Sequence, residues 1–113
     1  QPDKGWLIVD AGWMATSRDR GTAKQPDDHG YGVVCDLAGE PLGDLILRDA
    51  NQEHGIVSHR TGDPAKTPML PIGSRLRILP NHACATAAQH DRYHVVRGAS
   101  AEIEAIWPRM GGW

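Results

Sequence analysis

The sequence predicts an all-β fold: an antiparallel sandwich or distorted barrel of about seven or eight short strands with one or two short helical turns. Three observations predict it. Thirteen Gly and eight Pro fall within 113 residues, so the chain turns often. Apolar segments rich in Val, Ile and Leu are short and recur along the whole length. Only one segment has a helix-forming composition, and it is brief.

Lys4 to Asp10 (KGWLIVD) is dense in β-formers and is expected to open the sheet. Ala11-Gly12 interrupts it, and Trp13 to Thr16 is expected to continue the strand after a bulge. Ser17 to Gly30 (SRDRGTAKQPDDHG) is polar, has no apolar period and should form a long loop, of the kind that in compact domains is functional or mobile. Tyr31 to Leu37 is a second strand, Ala38-Gly39-Glu40-Pro41 a turn, and Leu42 to Arg48 the return strand of a hairpin. Glu53 to Ser58 is another strand and Thr61 to Lys66 a loop. In Arg75 to Leu79, alternation puts Leu76, Ile78 and Pro80 on one face and Arg75, Arg77 and Leu79 on the other. Asn81 can cap a short helix over His82 to Gln89, which holds four Ala. Tyr93 to Arg97 and Ala101 to Trp107 form a last pair around Gly98. With no Phe in the chain, Trp6, Trp13, Trp107 and Trp113 are expected to supply core area. The alternative puts Trp13 or Trp113 at a contact with another domain.

Size and charge bound the function. A mass of 12.3 kDa is one domain, too small for a catalytic barrel with a cap. The net charge of -2 leaves no basic excess to drive nucleic-acid binding. No apolar run approaches the roughly 20 residues of a membrane span. Gln1-Pro2-Asp3-Lys4 lacks the apolar core of a secretory leader. The chain opens on Gln and enters a strand almost at once, as a piece of a longer polypeptide would. Two cysteines are few for a secreted domain of this size, so Cys35 and Cys84 are expected to be reduced thiols in a cytoplasmic protein. Cys35, after Val33-Val34, has the setting of a small buried hydrophobe.

His82 and Cys84 carry the chemistry. Imidazole and thiolate both suit a borderline-soft divalent cation such as zinc. One intervening residue puts both side chains on the same side of an extended chain. In a helix the same gap separates them by about 200°. The pair is therefore expected to chelate only if the helix begins after it, with Pro80 fixing the corner. Taken alone, the spacing is equally that of a backbone-capped His and an inert Cys. Two protein ligands cannot close a structural zinc site, so a cation held here would keep positions open for water or substrate. Glu53 and His54, beside Gly55, are candidates to face substrate or support the ligands. His90 and Asp91 could fix the tautomer of His82. For each of these a solvated surface role stands as the alternative. Ser17-Arg18-Asp19-Arg20-Gly21-Thr22 could bind phosphate or carboxylate, or form an internal salt-bridged loop.

Five segments in order carry a family resemblance: Ile8-Val9-Asp10-Ala11-Gly12-Trp13, Ser17-Arg18-Asp19-Arg20-Gly21-Thr22-Ala23, Gly30-Tyr31-Gly32, Gln52-Glu53-His54-Gly55 and Pro80-Asn81-His82-Ala83-Cys84-Ala85-Thr86. From Gly5 to Trp113 the chain resembles the C-terminal domain of the metal-activated, pyridoxal-phosphate-dependent D-amino-acid lyases. These are the D-serine and D-threo-3-hydroxyaspartate dehydratases and the D-threonine aldolases. The resemblance implies that residues 1–113 are a metal-binding β-domain and that an N-terminal alanine-racemase-like barrel carries the pyridoxal phosphate (PLP) and its lysine. It implies His82 and Cys84 as ligands to zinc, with manganese or cobalt as alternatives. Cys84 sides with the dehydratases, since the aldolases are similar but have His-x-Asp. A homodimer acting on a small D-3-hydroxy amino acid follows for the intact enzyme, with elimination of water and then ammonia. The runner-up is retro-aldol cleavage. From a different class, the rival is a β-domain that only binds a partner.

Overall fold

A computed structural model of the chain describes residues 1–111. It bears out the antiparallel all-β class, with seven strands, one short α-helix and two 3-10 turns among the described residues. Five strands form one sheet in the order β1-β4-β3-β2-β5: β1 (Leu7–Val9), β2 (Gly32–Cys35), β3 (Pro41–Ala50), β4 (Gly55–His59) and β5 (Arg77–Pro80). The helix α1 (Ala83–Ala88) follows β5 after two residues. β6 (Arg92–Val95) and β7 (Ala105–Pro108) pair in a separate two-stranded sheet, with Tyr93 opposite Trp107. No helix among the described residues is long and apolar enough to cross a membrane.

The predicted hairpin is β2–β3, with Val33 opposite Ile46. Asp36 builds its turn by accepting from the amides of Ala38 and Glu40 at 2.8 and 3.0 Å. Val34, Leu45, Leu47 and Val57 on the three central strands make the buried core, and Leu7, Val9, Tyr31, Leu42, Leu76 and Ile78 pack around it. Leu76 and Ile78 point inward while Leu79 is 56% exposed, as the alternation in this segment requires. Removing such aliphatic side chains from water contributes about 1.5–3 kcal/mol each.

Several expectations are corrected. The first strand is shorter than Lys4–Asp10, because Pro2–Lys4 forms a 3-10 turn that ends at Gly5 with φ 62°. Trp13–Thr16 is no strand. The amides of Ala15 and Thr16 turn back to the carbonyl of Gly12, while those of Trp13 and Met14 donate to Asn51 and Gln52 in the β3–β4 connection. The described tryptophans do not build the core. Trp107 is 60% exposed on the outlying two-stranded sheet. Trp6 and Trp13 are half-buried beneath cations, Lys4 at 4.7 Å and Arg18 at 5.1 Å from the ring centres. Trp113 lies outside the described residues.

Candidate metal centre

The chemistry-bearing corner sits where edge strand β5 ends. Pro80 pairs with Gly32, and the amide of Asn81 donates to the carbonyl of Tyr31 at 3.0 Å. Asn81 does not cap the helix. Its side-chain amide instead donates to Thr22 Oγ1 at 2.8 Å and to the Gly30 carbonyl at 2.7 Å, tying the long 17–30 loop to the corner. His82 occupies the N-cap position in an extended conformation (φ -130°, ψ 96°), and its side chain makes no capping bond. The helix therefore begins at Ala83, between the two candidate ligands rather than after them. Cys84 lies in its first turn. The expected wholly extended pair is replaced by an extended His82 and a helical Cys84. Because His82 is not helical, the 200° separation of two helix residues does not govern the pair. Cys84 is a free, exposed thiol, and the His82 side chain is 42% exposed.

Asp19 completes the corner. Its Oδ2 lies 2.5 Å from His82 Nδ1. Sequence reasoning noted its segment but did not assign Asp19 to His82. The signal was the mixed Ser-Arg-Asp-Arg run, whose internal salt-bridged alternative the structure supports. Arg20 pairs with Asp28 at 2.5 Å and stacks over Tyr31. Thr22 Oγ1 donates to Asp28 and accepts from the His29 and Asn81 nitrogens, so the hydroxyl is fully used. The hydrogen bond from the Gly30 amide, followed by the charge of Arg20, holds the Asp28 carboxyl below the usual carboxylate range.

The remaining candidates stand apart from His82. Asp91 gives both carboxylate oxygens to its neighbour Arg92, each at 2.7 Å, and this pairing lowers its pKa. Asp19, not Asp91, is the carboxylate on His82. His90 Nε2 contacts the Ala15 carbonyl at 3.1 Å, a tie to the turn that precedes the loop. Glu53 and His54 are exposed in the β3–β4 turn, where His54 Nε2 meets Asn51 Nδ2 at 3.1 Å. That turn still matters indirectly, since its Asn51 and Gln52 carbonyls hold the segment leading to Asp19. Cys35 is buried, and burial pushes its thiol pKa up, as expected for an inert cysteine. Among the described residues no group of three or more His, Cys, Asp or Glu side chains gathers to hold a metal ion. A donor set of one imidazole and one accessible thiol nonetheless fits an open site for a borderline-soft cation.

The chain matches the family model described as "Putative serine dehydratase domain" over residues 1–96. It is 53% identical over its whole length to D-threo-3-hydroxyaspartate dehydratase of Delftia sp., of which it covers 30%. It is 35% identical over 98% of its length to a D-serine dehydratase of Schizosaccharomyces pombe, covering 24% of that protein. A 3-hydroxy-D-aspartate aldolase of Paracoccus denitrificans is 30% identical over 89% of the chain and is covered to 20%. The solved structure of the Delftia enzyme superposes on the whole chain with a TM-score of 0.81, and the chain covers 30% of it. Two variant structures of D-threo-3-hydroxyaspartate dehydratase also match. One is a cysteine-to-alanine variant described as metal-free, with a TM-score of 0.82, and the other is a histidine-to-alanine variant, at 0.84. The chain thus spans under a third of the length of these relatives.

Proposed function

This chain belongs to the serine dehydratase domain family, and from that premise we propose that it is the metal-bearing β-domain of a larger D-3-hydroxy amino acid dehydratase. The carrying observation is the β5–α1 corner, where His82 and Cys84 are both accessible and Asp19 occupies the imidazole nitrogen not needed for a ligand. The two dehydratase variants support the assignment, because the histidine and cysteine replaced there are two positions apart, like His82 and Cys84. In this reading a barrel domain of alanine-racemase type accompanies residues 1–113 in a cytoplasmic homodimer.

Zinc, or manganese or cobalt in its place, would be held by His82 Nε2 and Cys84 Sγ. Bound there, such a cation supplies Lewis-acid polarisation of the substrate β-hydroxyl, a poor leaving group on its own. Asp19 lies against Nδ1 of the His82 imidazole. Asn81 holds the corner against the loop that carries Asp19. Cys84, in a helix with no buried residue, is free to meet a ligand from outside this domain. PLP does not fit this chain. Lys4, Lys24 and Lys66 are all exposed, so no enclosed amine is offered to a cofactor aldehyde. The barrel of this reading would hold PLP, with its electron-sink chemistry.

Metal analysis of the intact protein with His82→Ala and with Cys84→Ala tests the assignment. Each variant is expected to lose bound metal and dehydratase activity; unchanged metal content in both ends it. Similarity to the Paracoccus aldolase keeps a retro-aldol reading in view. Product analysis separates the two, since a 2-oxo acid with ammonia marks a dehydratase and glycine with an aldehyde marks an aldolase.

A further inference from the structure

We propose that Asp19 is the positioning residue of this centre: its carboxylate accepts the Nδ1 proton of His82 and so reserves Nε2 for a cation. The inference rests on the reading of His82 as a ligand. A neutral imidazole carries one N–H and one lone pair. Fixing the proton at Nδ1 fixes the lone pair at Nε2 and also the plane of the ring. Carboxylates behind metal-ligating histidines act in this way. Asp19 Oδ2 and His82 Nδ1, 2.5 Å apart, are within hydrogen-bonding reach of each other.

Holding a ring steady requires a carboxylate that is itself steady, and a 14-residue polar loop is a poor support unless anchored. Here the anchors are explicit. The Asp19 amide donates to Ser17 Oγ at 2.9 Å, and Ser17 is only 6% exposed. Just before it, Thr16 donates its hydroxyl to the Gly12 carbonyl at 3.0 Å, and Arg18 rests over Trp13. Arg18 and Arg20, the cations on either side of Asp19 in sequence, are engaged elsewhere, over Trp13 and with Asp28. Two further bonds flank the Asp19–His82 bond in sequence, Asn81 to Thr22 in the same loop and His90 to the Ala15 carbonyl in the turn just before it. The segment from 81 to 90 is thus fastened to the loop by Asn81 and His82 and to the preceding turn by His90.

The test is a zinc titration of the intact protein by competition with a chromophoric chelator, comparing wild type with His82→Ala, Asp19→Ala and Asp19→Asn. His82→Ala is expected to lose zinc at this site. Asp19→Ala should weaken zinc binding about 10–100-fold, the usual cost of removing such a partner. Asp19→Asn keeps an acceptor oxygen for the Nδ1 proton and should recover at least half of that loss on a logarithmic scale. Histidine 15N spectra of the zinc-free protein near pH 8, where a typical imidazole is neutral, give a readout independent of activity. They should report the proton on Nδ1 of His82. Zinc affinity within twofold of wild type in Asp19→Ala, while His82→Ala loses the metal, overturns the role of Asp19 and leaves the ligand assignment intact. Retention of zinc by His82→Ala overturns the ligand assignment itself. If Asp19→Ala does not fold, the spectra decide, and a proton on Nε2 of His82 in the wild type overturns the proposal.

Discussion

Replacing Asn81 by Ala isolates the link between the 17–30 loop and the candidate metal corner. The side-chain amide donates twice, to Thr22 Oγ1 at 2.8 Å and to the Gly30 carbonyl at 2.7 Å. Thr22 keeps the His29 amide as a donor, so its hydroxyl is not orphaned. The Gly30 carbonyl has no such substitute, and Gly30 is buried with φ 59° between the loop and β2. One ordinary bond contributes about 0.5–1.5 kcal/mol and an unsatisfied buried acceptor costs about 1–3 kcal/mol. Together they bracket the loss at about 1.5–4.5 kcal/mol. With a urea slope of about 2 kcal/mol/M, the unfolding midpoint should fall by about 1–2 M. Asn81→Asp sharpens the test, because it preserves shape but turns an acceptor toward the Gly30 carbonyl. It should cost at least as much as Ala. Urea unfolding followed by tryptophan fluorescence measures both. An Ala variant within about 0.5 kcal/mol of wild type, or an Asp variant milder than Ala, refutes the reasoning.

Three further outcomes are expected. A Cβ at Gly55 would lie 2.4 Å from Leu47 Cδ1 and 2.6 Å from the Ala11 carbonyl, so Gly55→Ala should destabilise by about 1–3 kcal/mol or more, read as a lowered melting temperature. Asp28 has its folded pKa depressed below the ordinary value of about 3.9. Its contribution is therefore present in full above that value and fades as pH falls through the lower folded value. Asp28→Asn should flatten the acid side of the stability profile, and an unchanged slope there contradicts the assignment. Thiol reagents should modify Cys84 in the native protein and Cys35 only on unfolding, since one is exposed and the other buried with a raised pKa. Saturating zinc should slow the reaction at Cys84; an unaltered rate speaks against its role as a ligand.

The all-β class, the β2–β3 hairpin, the inward Leu76 and Ile78 and the closing β6–β7 pair were legible because each depends on local alternation and on Gly or Pro at the turns. The Trp13–Thr16 turn was not. The amides of Trp13 and Met14 are satisfied by carbonyls of Asn51 and Gln52, some 38 residues away in sequence, and no local pattern announces such partners. Asn81 misled for a related reason. It has a good capping side chain, but two acceptors brought by the folded loop compete for it and win. At the candidate site, His82 and Cys84 were visible from residue type and spacing, whereas Asp19 reaches His82 across 63 positions. A proximity of that kind exists only after the sheet has formed. Asp91, nine positions from His82 in sequence, was the candidate partner and is instead held by Arg92.

Cys84 sits on a helix that buries none of its residues, at the end of a strand on the margin of the sheet, while the interior is made by Val34, Leu45, Leu47 and Val57 elsewhere. Folding and reactivity are thereby written in separate stretches of polypeptide. Trading sulfur for a carboxylate oxygen at this one position would change which ions are preferred and would leave the hydrophobic interior undisturbed. A scaffold divided in this way lets a lineage explore new chemistry by single substitutions without first having to rescue its own stability.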